Sequence, residues 1–311
     1  MGALQGRVSL THFDHKGFHM SYAVVTENVI LDGPHGPLTV RTYTSPTAPP
    51  SQVGFVWVHG GGFIGGDLDM PEADWVSRTI AATGIPVVSV DYKLAPPVPE
   101  LGWDVPPSDG VHFPIASEEV THAFLWAAES RFAGATDWTL GGASAGANLA
   151  SGAALRLRDL AGTTPHSVIL IYPLAHRVIP PFSDELAAKV ASLPDEARFD
   201  PNVVKLLNDN YVGHDGDAGS PYAFVGGEDL RGFPPTLIVN TEHDALRASG
   251  EALASELAIA GVDVSVVREL DARHGHINDP SLPSAHRTVD RMIAWLGPSP
   301  LVGTTHEAPP A

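Results

Sequence analysis

The stretch LGGASAGANLA, residues 140–150, places the hydroxyl of Ser144 among small and apolar residues and contains the pattern G-x-S-x-G over residues 142–146. The apolar run 138–141 before it predicts a strand, and the small residues that open the segment 145–160 predict a helix. A serine at such a sharp turn has a strained backbone, needs glycine neighbours and keeps its Oγ exposed. The following helix N-terminus favours developing negative charge. A tightly packed glycine-alanine junction is the alternative interpretation, and the pentapeptide alone does not decide between this packing role and a nucleophilic Ser144.

Apolar runs rich in β-branched residues recur on both sides of this stretch. They are nearly continuous, as expected for strands buried on both faces, and lie at 53–58, 85–90, 138–141, 167–172, 235–240 and 262–267. Segments with helical spacing alternate with them, at 71–83, 117–132, 145–160, 245–260 and 285–296. Two earlier candidate strands, 24–31 and 37–44, flank a turn-rich linker and predict an antiparallel edge. The alternation predicts an α/β fold with a mostly parallel central sheet of about eight strands and helices on both faces.

Length and composition favour one globular domain over residues 1–311, because 43% of the residues are apolar and only 17% are charged. Three segments fit the alternation poorly, and we expect them to form a small, mainly helical cap: 1–23, 97–111 and 175–230.

The chain is strongly acidic, with 18 Lys and Arg against 36 Asp and Glu and a net charge of −18. This charge disfavours nucleic acid as a partner. Cysteine is absent, which excludes a thiol nucleophile and a cysteine-based metal site. The 15 histidines include His12, His15 and His19, but they show no ligand spacing, and we expect no metal and no cofactor. No segment has the composition of a signal peptide or a membrane span, which predicts a soluble, cytoplasmic protein.

A second motif, HGGGF at residues 59–63, stands at the end of the predicted strand 53–58. Consecutive glycines let backbone N–H groups turn together toward a substrate oxygen, as an oxyanion hole requires. A merely tight loop and a phosphate-binding loop are the alternatives. The second is weak here, because G-x-G-x-x-G and a Walker lysine are both missing.

A serine nucleophile needs a base, and the base needs a carboxylate that orients it. Asp244 follows the predicted strand 235–240, and His274 follows the last predicted strand. Both positions lie at carboxyl ends of strands, where open α/β sheets gather their sites. Asp271 and, more weakly, Glu242 are rival acids.

These motifs together resemble the bacterial hormone-sensitive-lipase-like esterases of the α/β-hydrolase superfamily. The resemblance covers about residues 50–296 and is carried by HGGGF, DYKLAP at 91–96, GASAGANLA at 142–150, D-x-L-R at 244–247 and HGH at 274–276. It implies Ser144 as nucleophile, His274 as general base and Asp244 as its orienting acid. It further implies that the N–H groups of Gly61, Gly62 and Ala145 form an oxyanion hole. His59 would then stabilise the glycine loop without touching substrate.

The chain departs from the family pattern without losing a catalytic group. Family members usually carry an acidic residue, Arg, Glu, Pro and Phe at the positions of Ala143, Lys93, Pro97, Ala245 and His276, respectively. The last departure leaves His276 as an alternative to His274 for the base.

The resemblance implies a serine carboxylesterase that acts on short- to medium-chain acyl esters as its small-molecule partner, with a homodimer as a candidate assembly. Phe63 and Trp103 are candidate substrate-pocket residues, with ordinary aromatic packing as the alternative. An amide, lactone or carbamate hydrolase on the same triad is a second hypothesis. A non-catalytic receptor on the same fold is the third.

Overall fold

The computed structural model describes residues 22–105, 107–194, 198–213 and 219–297. Nearly all of the predicted cap segment 1–23, including His12, His15 and His19, lies outside the described residues.

Within the described residues, eight strands form one sheet. They are β1 (Val25–Gly33), β2 (Gly36–Thr44), β3 (Val53–Val58), β4 (Val87–Asp91), β5 (Asp137–Ala143), β6 (Val168–Ile171), β7 (Thr236–His243) and β8 (Val264–Arg273).

The strand order is β1-β2-β4-β3-β5-β6-β7-β8. Strand β2 pairs antiparallel with β1 and with β4, whereas every other neighbouring pair is parallel. The predicted antiparallel edge and the mostly parallel sheet of about eight strands are therefore confirmed. The loops after β3, β5, β6, β7 and β8 consequently leave from the same edge of the sheet.

The helices of the described residues are α1 (Asp74–Ala81), α2 (Ile115–Glu129), α3 (Ala145–Arg156), α4 (Asp184–Ala191), α5 (Pro201–Val212), α6 (Arg247–Ile259) and α7 (Pro283–Leu296). Helices α2, α3 and α6 share one apolar cluster with the sheet, and α1 and α7 share a second cluster with the opposite face. Neighbouring residues of β3 show why the runs are continuous, since Val56 belongs to the first cluster and Trp57 to the second.

The predicted boundaries differ most at the last strand. The apolar pattern ends at residue 267, but β8 continues to Arg273. The added part belongs to an edge strand and has only two buried residues, Glu269 and Ala272, among exposed ones, so it lacks the apolar run on which the prediction depended.

Parts of the other two predicted cap segments are described. The described part of segment 97–111 contains one short 3₁₀ turn, Pro99–Leu101, and the described part of segment 175–230 contains α4 and α5. The residues that flank segment 97–111 are hydrogen-bonded to α5: the Phe113 N–H donates to Tyr211 O, and the Asn210 amide donates to Pro96 O.

Candidate active site

Ser144 lies between the last residue of β5 and the first residue of α3, with φ 54° and ψ −119°. This positive φ is costly for a residue with a side chain, and it is the strained turn that the motif predicts. The Ser144 N–H donates to Ile171 O at 2.9 Å, which ties the turn to β6. A Cβ at Gly146 would lie 2.2 Å from His59 O, so glycine is needed where α3 meets the end of β3.

A chain of hydrogen bonds joins Ser144, His274 and Asp244. His274 Nε2 lies 2.9 Å from Ser144 Oγ, and His274 Nδ1 lies 2.8 Å from Asp244 Oδ2. The three side chains come from the loops after β5, β8 and β7 and are nearly buried. The structure thus brings together the three residues that the sequence proposed as nucleophile, base and orienting acid.

Asp244 is held in one orientation by its own neighbours. It is 1% exposed, its Oδ2 accepts from Thr241 Oγ1 at 2.8 Å, and its Oδ1 accepts from the Leu246 N–H at 2.9 Å. Because a carboxylate accepts hydrogen bonds, the proton of His274 belongs on Nδ1. His274 Nε2 is then free to accept from the hydroxyl of Ser144.

The rival residues have other partners. Glu242 pairs with Lys189 and accepts the N–H of Asp271 at 2.8 Å, while Asp271 itself is exposed. His276 is buried with its Nε2 2.7 Å from Thr288 Oγ1, and burial lowers the pKa of His276 to about 4.

The glycine loop after β3 has positive φ at three successive residues, Gly61, Gly62 and Phe63. Gly61 O accepts from the N–H groups of Ile64 and Gly65, so its carbonyl is turned back into the loop. In the described part of the chain, the N–H groups of Gly61, Gly62 and Ala145 donate to no protein acceptor. These are the donors expected of an oxyanion hole.

His59 contacts this glycine loop. It is fully buried, its Nδ1 lies 2.7 Å from Gly60 O, and its ring stacks on Tyr92. The Tyr92 hydroxyl donates to the carbonyls of His59 and Gly60. Burial lowers the pKa of His59 to about 4, so it acts as a neutral hydrogen-bonding group at neutral pH.

The two candidate pocket residues lie in different surroundings. Phe63 is 1% exposed and stacks on Tyr211 of α5 with ring centroids 4.1 Å apart. Trp103 is 41% exposed and covers the glycine loop, because a Cβ at Gly62 would lie 3.0 Å from its ring. Trp103 also meets Phe199 edge to face at 6.5 Å.

Four residues at the site were missed by sequence reasoning: Glu72, Tyr172, Phe199 and Asn278. The ring of Phe199 lies 4.4 Å from that of His274, and the ring of Tyr172 lies 4.7 Å from it, measured between centroids. Glu72 and Asn278 are hydrogen-bonded to each other near this histidine. None belongs to a recognisable motif, and only the place of Tyr172 at the end of a predicted strand offered a signal.

One group in the described residues has metal-ligand chemistry: Glu242, His243 and Asp271, whose ligand atoms lie within 4.8 Å of one another. Lys189 already neutralises Glu242 there. No helix in the described part of the chain combines the length and the apolar character that a bilayer crossing requires.

The chain resembles known proteins over most of its length. Residues 55–278 match a family model described as the alpha/beta hydrolase fold. Esterase LipI of Mycobacterium tuberculosis is 31% identical over 277 residues, covering 86% of this chain and 80% of that protein. Carboxylesterase NlhH of the same organism is 29% identical over 271 residues, covering 83% and 77%.

A solved structure, the hyperthermophilic esterase from the archaeon Pyrobaculum calidifontis, superposes with a TM-score of 0.74 at 30% identity and covers 88% of this chain and 85% of that one. Since the family model spans more than half of the chain and these relatives span most of it, the chain belongs to the hormone-sensitive-lipase-like esterases of the α/β-hydrolase superfamily.

Proposed function

We propose that this chain, a carboxylic ester hydrolase, cleaves short- to medium-chain acyl esters with Ser144 as nucleophile, His274 as base and Asp244 as orienting acid. The observation that carries the proposal is the continuous hydrogen-bond chain from Ser144 Oγ through both nitrogens of His274 to Asp244. The names of the relatives support the ester as the bond that is cleaved.

The geometry supports two chemical steps. In the first, Ser144 Oγ attacks the ester carbonyl, His274 Nε2 takes the hydroxyl proton and then gives it to the leaving alcohol, and an acyl-enzyme forms. In the second, a water that loses its proton to His274 attacks the acyl carbonyl, and Ser144 regains its proton as the acid leaves. The N–H groups of Gly61, Gly62 and Ala145 would stabilise the oxyanion in both steps.

The side chains around the glycine loop and His274 are apolar, which favours apolar substrates. Trp103 covers Gly62 from one side, and Leu207 of α5 also lies against it, with its Cδ1 3.3 Å from the position of a Cβ. Phe199 packs on His274 from the same cap region. We therefore propose that the described parts of segments 97–111 and 175–230 act as the cap and that Trp103 lines the substrate pocket.

The decisive experiment is Ser144→Ala assayed with p-nitrophenyl butyrate. We expect the wild-type protein to turn over the ester and to form a covalent adduct with a fluorophosphonate at Ser144. The folded variant should lose both. Undiminished hydrolysis by the variant would refute the assignment, and a wild-type protein that forms no adduct would favour the receptor hypothesis. Matched esters, amides, lactones and carbamates compared by kcat/KM would identify the preferred bond.

The assembly and the cellular location stay predictions. A homodimer is consistent with the exposed apolar side chains of edge strand β8, Val266 and Leu270, which are about half exposed. Light scattering at several protein concentrations tests the dimer, and cell fractionation tests the cytoplasmic location.

A further inference from the structure

A further carboxylate, that of Glu72, lies buried beside the hydrogen-bond chain of Ser144. Glu72 lies two residues before the start of α1 and is 2% exposed. Its Oε1 accepts the Gly60 N–H at 2.5 Å, and its Oε2 accepts from the Tyr172 hydroxyl at 2.5 Å and from the Asn278 amide at 3.0 Å. A buried carboxylate is costly unless such donors satisfy it.

The three donors belong to three loops of the same site. Gly60 begins the glycine loop after β3, Tyr172 follows β6, and Asn278 lies in the loop that carries His274. Main-chain contacts hold Glu72 itself in place, since its N–H donates to Asn278 Oδ1 at 3.3 Å and its carbonyl accepts from Trp57 Nε1 at 2.8 Å. The Glu72 side chain therefore links the glycine loop, which carries predicted oxyanion donors, to the loop that carries the predicted base, His274.

The glycine loop and Ser144 are in close contact at this carboxylate. A Cβ at Gly60 would lie 2.7 Å from Glu72 Oε1 and 3.1 Å from Ser144 Cβ. The residue before the nucleophile is Ala143, so the turn itself supplies no carboxylate. A displacement of Glu72 would therefore shift the glycine loop, which carries the predicted donors to the ester carbonyl of the substrate.

Tyr172 connects the same carboxylate to His274. Its backbone has φ 38°, which is unfavourable for a tyrosine and persists only where surrounding contacts hold it. Its hydroxyl is bound by Glu72 while its ring lies against the imidazole of His274. The hydrogen bond to Glu72 thus fixes the position of the Tyr172 ring, which packs against the imidazole of His274.

The bonding pattern also suits the ionised form of Glu72. Burial raises the pKa of Glu72, and the hydrogen bonds from Tyr172, Gly60 and Asn278 oppose this rise by stabilising the anion. Gly60 and Asn278 present N–H groups that can only donate, one to each oxygen. Among the ion pairs of the described residues, none joins Glu72 to Lys or Arg, so these donors carry its stabilisation.

We propose that Glu72 is a positioning residue for ester hydrolysis. It holds the glycine loop, and the Tyr172 ring that packs against His274, in the geometry that the transition state requires. This inference rests on the proposed function of Ser144. It predicts that loss of Glu72 lowers the rate of the chemical step more than the binding of substrate, because ground-state binding depends on the cap and not on the loop geometry.

The test compares Glu72→Gln with the wild-type protein. Gln keeps the size and can still accept from Gly60, but it turns an amide toward the two donors Tyr172 and Asn278. We expect kcat for p-nitrophenyl butyrate to fall about 10- to 100-fold while KM changes less than about threefold. The rate constant for phosphonylation of Ser144 by a fluorophosphonate should fall with kcat, and active-site titration restricts kcat to the folded fraction.

Glu119→Gln is the matched control. Glu119 is another fully buried glutamate, which accepts the Lys93 N–H at 2.8 Å and pairs with the ammonium of the same lysine. We expect its loss to lower the melting temperature and to leave kcat per titrated site within about twofold. A kcat at the wild-type level in Glu72→Gln, or an equal loss in both variants, would overturn the positioning role.

Tyr172→Phe carries the test if Glu72→Gln does not fold, because it removes one hydrogen bond and keeps the ring against His274. We expect a fall in kcat of about 3- to 10-fold at unchanged KM. An unchanged kcat would again overturn the inference. Wild-type labelling and turnover are measured first, so a failure of the proposed function is seen separately from a failure of this inference.

Discussion

Asp244 and His274 stand at the ends of neighbouring strands β7 and β8, with Asp244 Oδ2 2.8 Å from His274 Nδ1. The strands place the two loops, and the hydrogen bonds from Thr241 and Leu246 then fix the carboxylate. The orientation of the imidazole is therefore built into the fold before substrate arrives.

Asp244→Asn should lower kcat by about 10³- to 10⁴-fold with a small change in KM, because an amide facing Nδ1 favours the wrong tautomer of His274. Steady-state kinetics with p-nitrophenyl butyrate measure this. Asp271→Asn, at the exposed rival, is the control and should stay within about twofold. The assignment is wrong if Asp271→Asn shows the large loss and Asp244→Asn does not.

From the sequence alone, Ser144, Asp244 and His274 could be placed at one edge of the sheet, because each follows a predicted strand. Buried parallel strands are visible as continuous apolar runs, and their carboxyl ends meet at one edge. The last strand was predicted too short because residues 268–273 form a partly exposed edge whose side chains are largely polar.

Glu72 could not be predicted in the same way. An acidic residue just before a helix usually faces solvent and interacts with the helix dipole. Its burial depends on Tyr172 and Asn278, which are 100 and 206 positions away in the chain. Only tertiary packing brings these partners together.

Trp103→Ala should change the preference among acyl chains, since its ring covers Gly62 and meets Phe199 over the site. We expect the ratio of kcat/KM for p-nitrophenyl octanoate to that for the acetate to rise about 3- to 10-fold. Leu160→Ala, which truncates a side chain 68% exposed after α3, should leave the ratio unchanged. The same ratio in all three proteins would remove Trp103 from the pocket.

Gly146→Ala should destabilise the protein by about 1–3 kcal/mol and lower its activity, because the new Cβ would lie 2.2 Å from the backbone carbonyls of Val58 and His59. Gly65→Ala is the control, since its Cβ would meet no atom closer than 3.7 Å. Urea unfolding and active-site titration measure the two effects. Equal free energies of unfolding for the two variants would show that the close contact between α3 and β3 relaxes freely.

The stability of the fold should decrease as the pH falls below about 6.5, and His276 is one cause. Burial lowers the pKa of His276 to about 4 in the folded protein, whereas in the unfolded chain it binds a proton near pH 6.5. Between these values the unfolded state holds the extra proton, so the free energy of unfolding falls with the pH. His59 contributes in the same direction, because burial lowers its pKa to about 4 as well.

His276→Gln isolates this contribution, since the Gln amide does not titrate and can still reach Thr288, the partner of His276 Nε2. Between pH 7.5 and 4.5 the wild-type free energy of unfolding should fall by about 2 kcal/mol more than that of the variant. Urea titrations followed by tryptophan fluorescence at several pH values in this range measure the difference. Parallel pH dependences of the two proteins would mean that His276 binds its proton equally well in the folded and unfolded states, in conflict with its burial against Thr288.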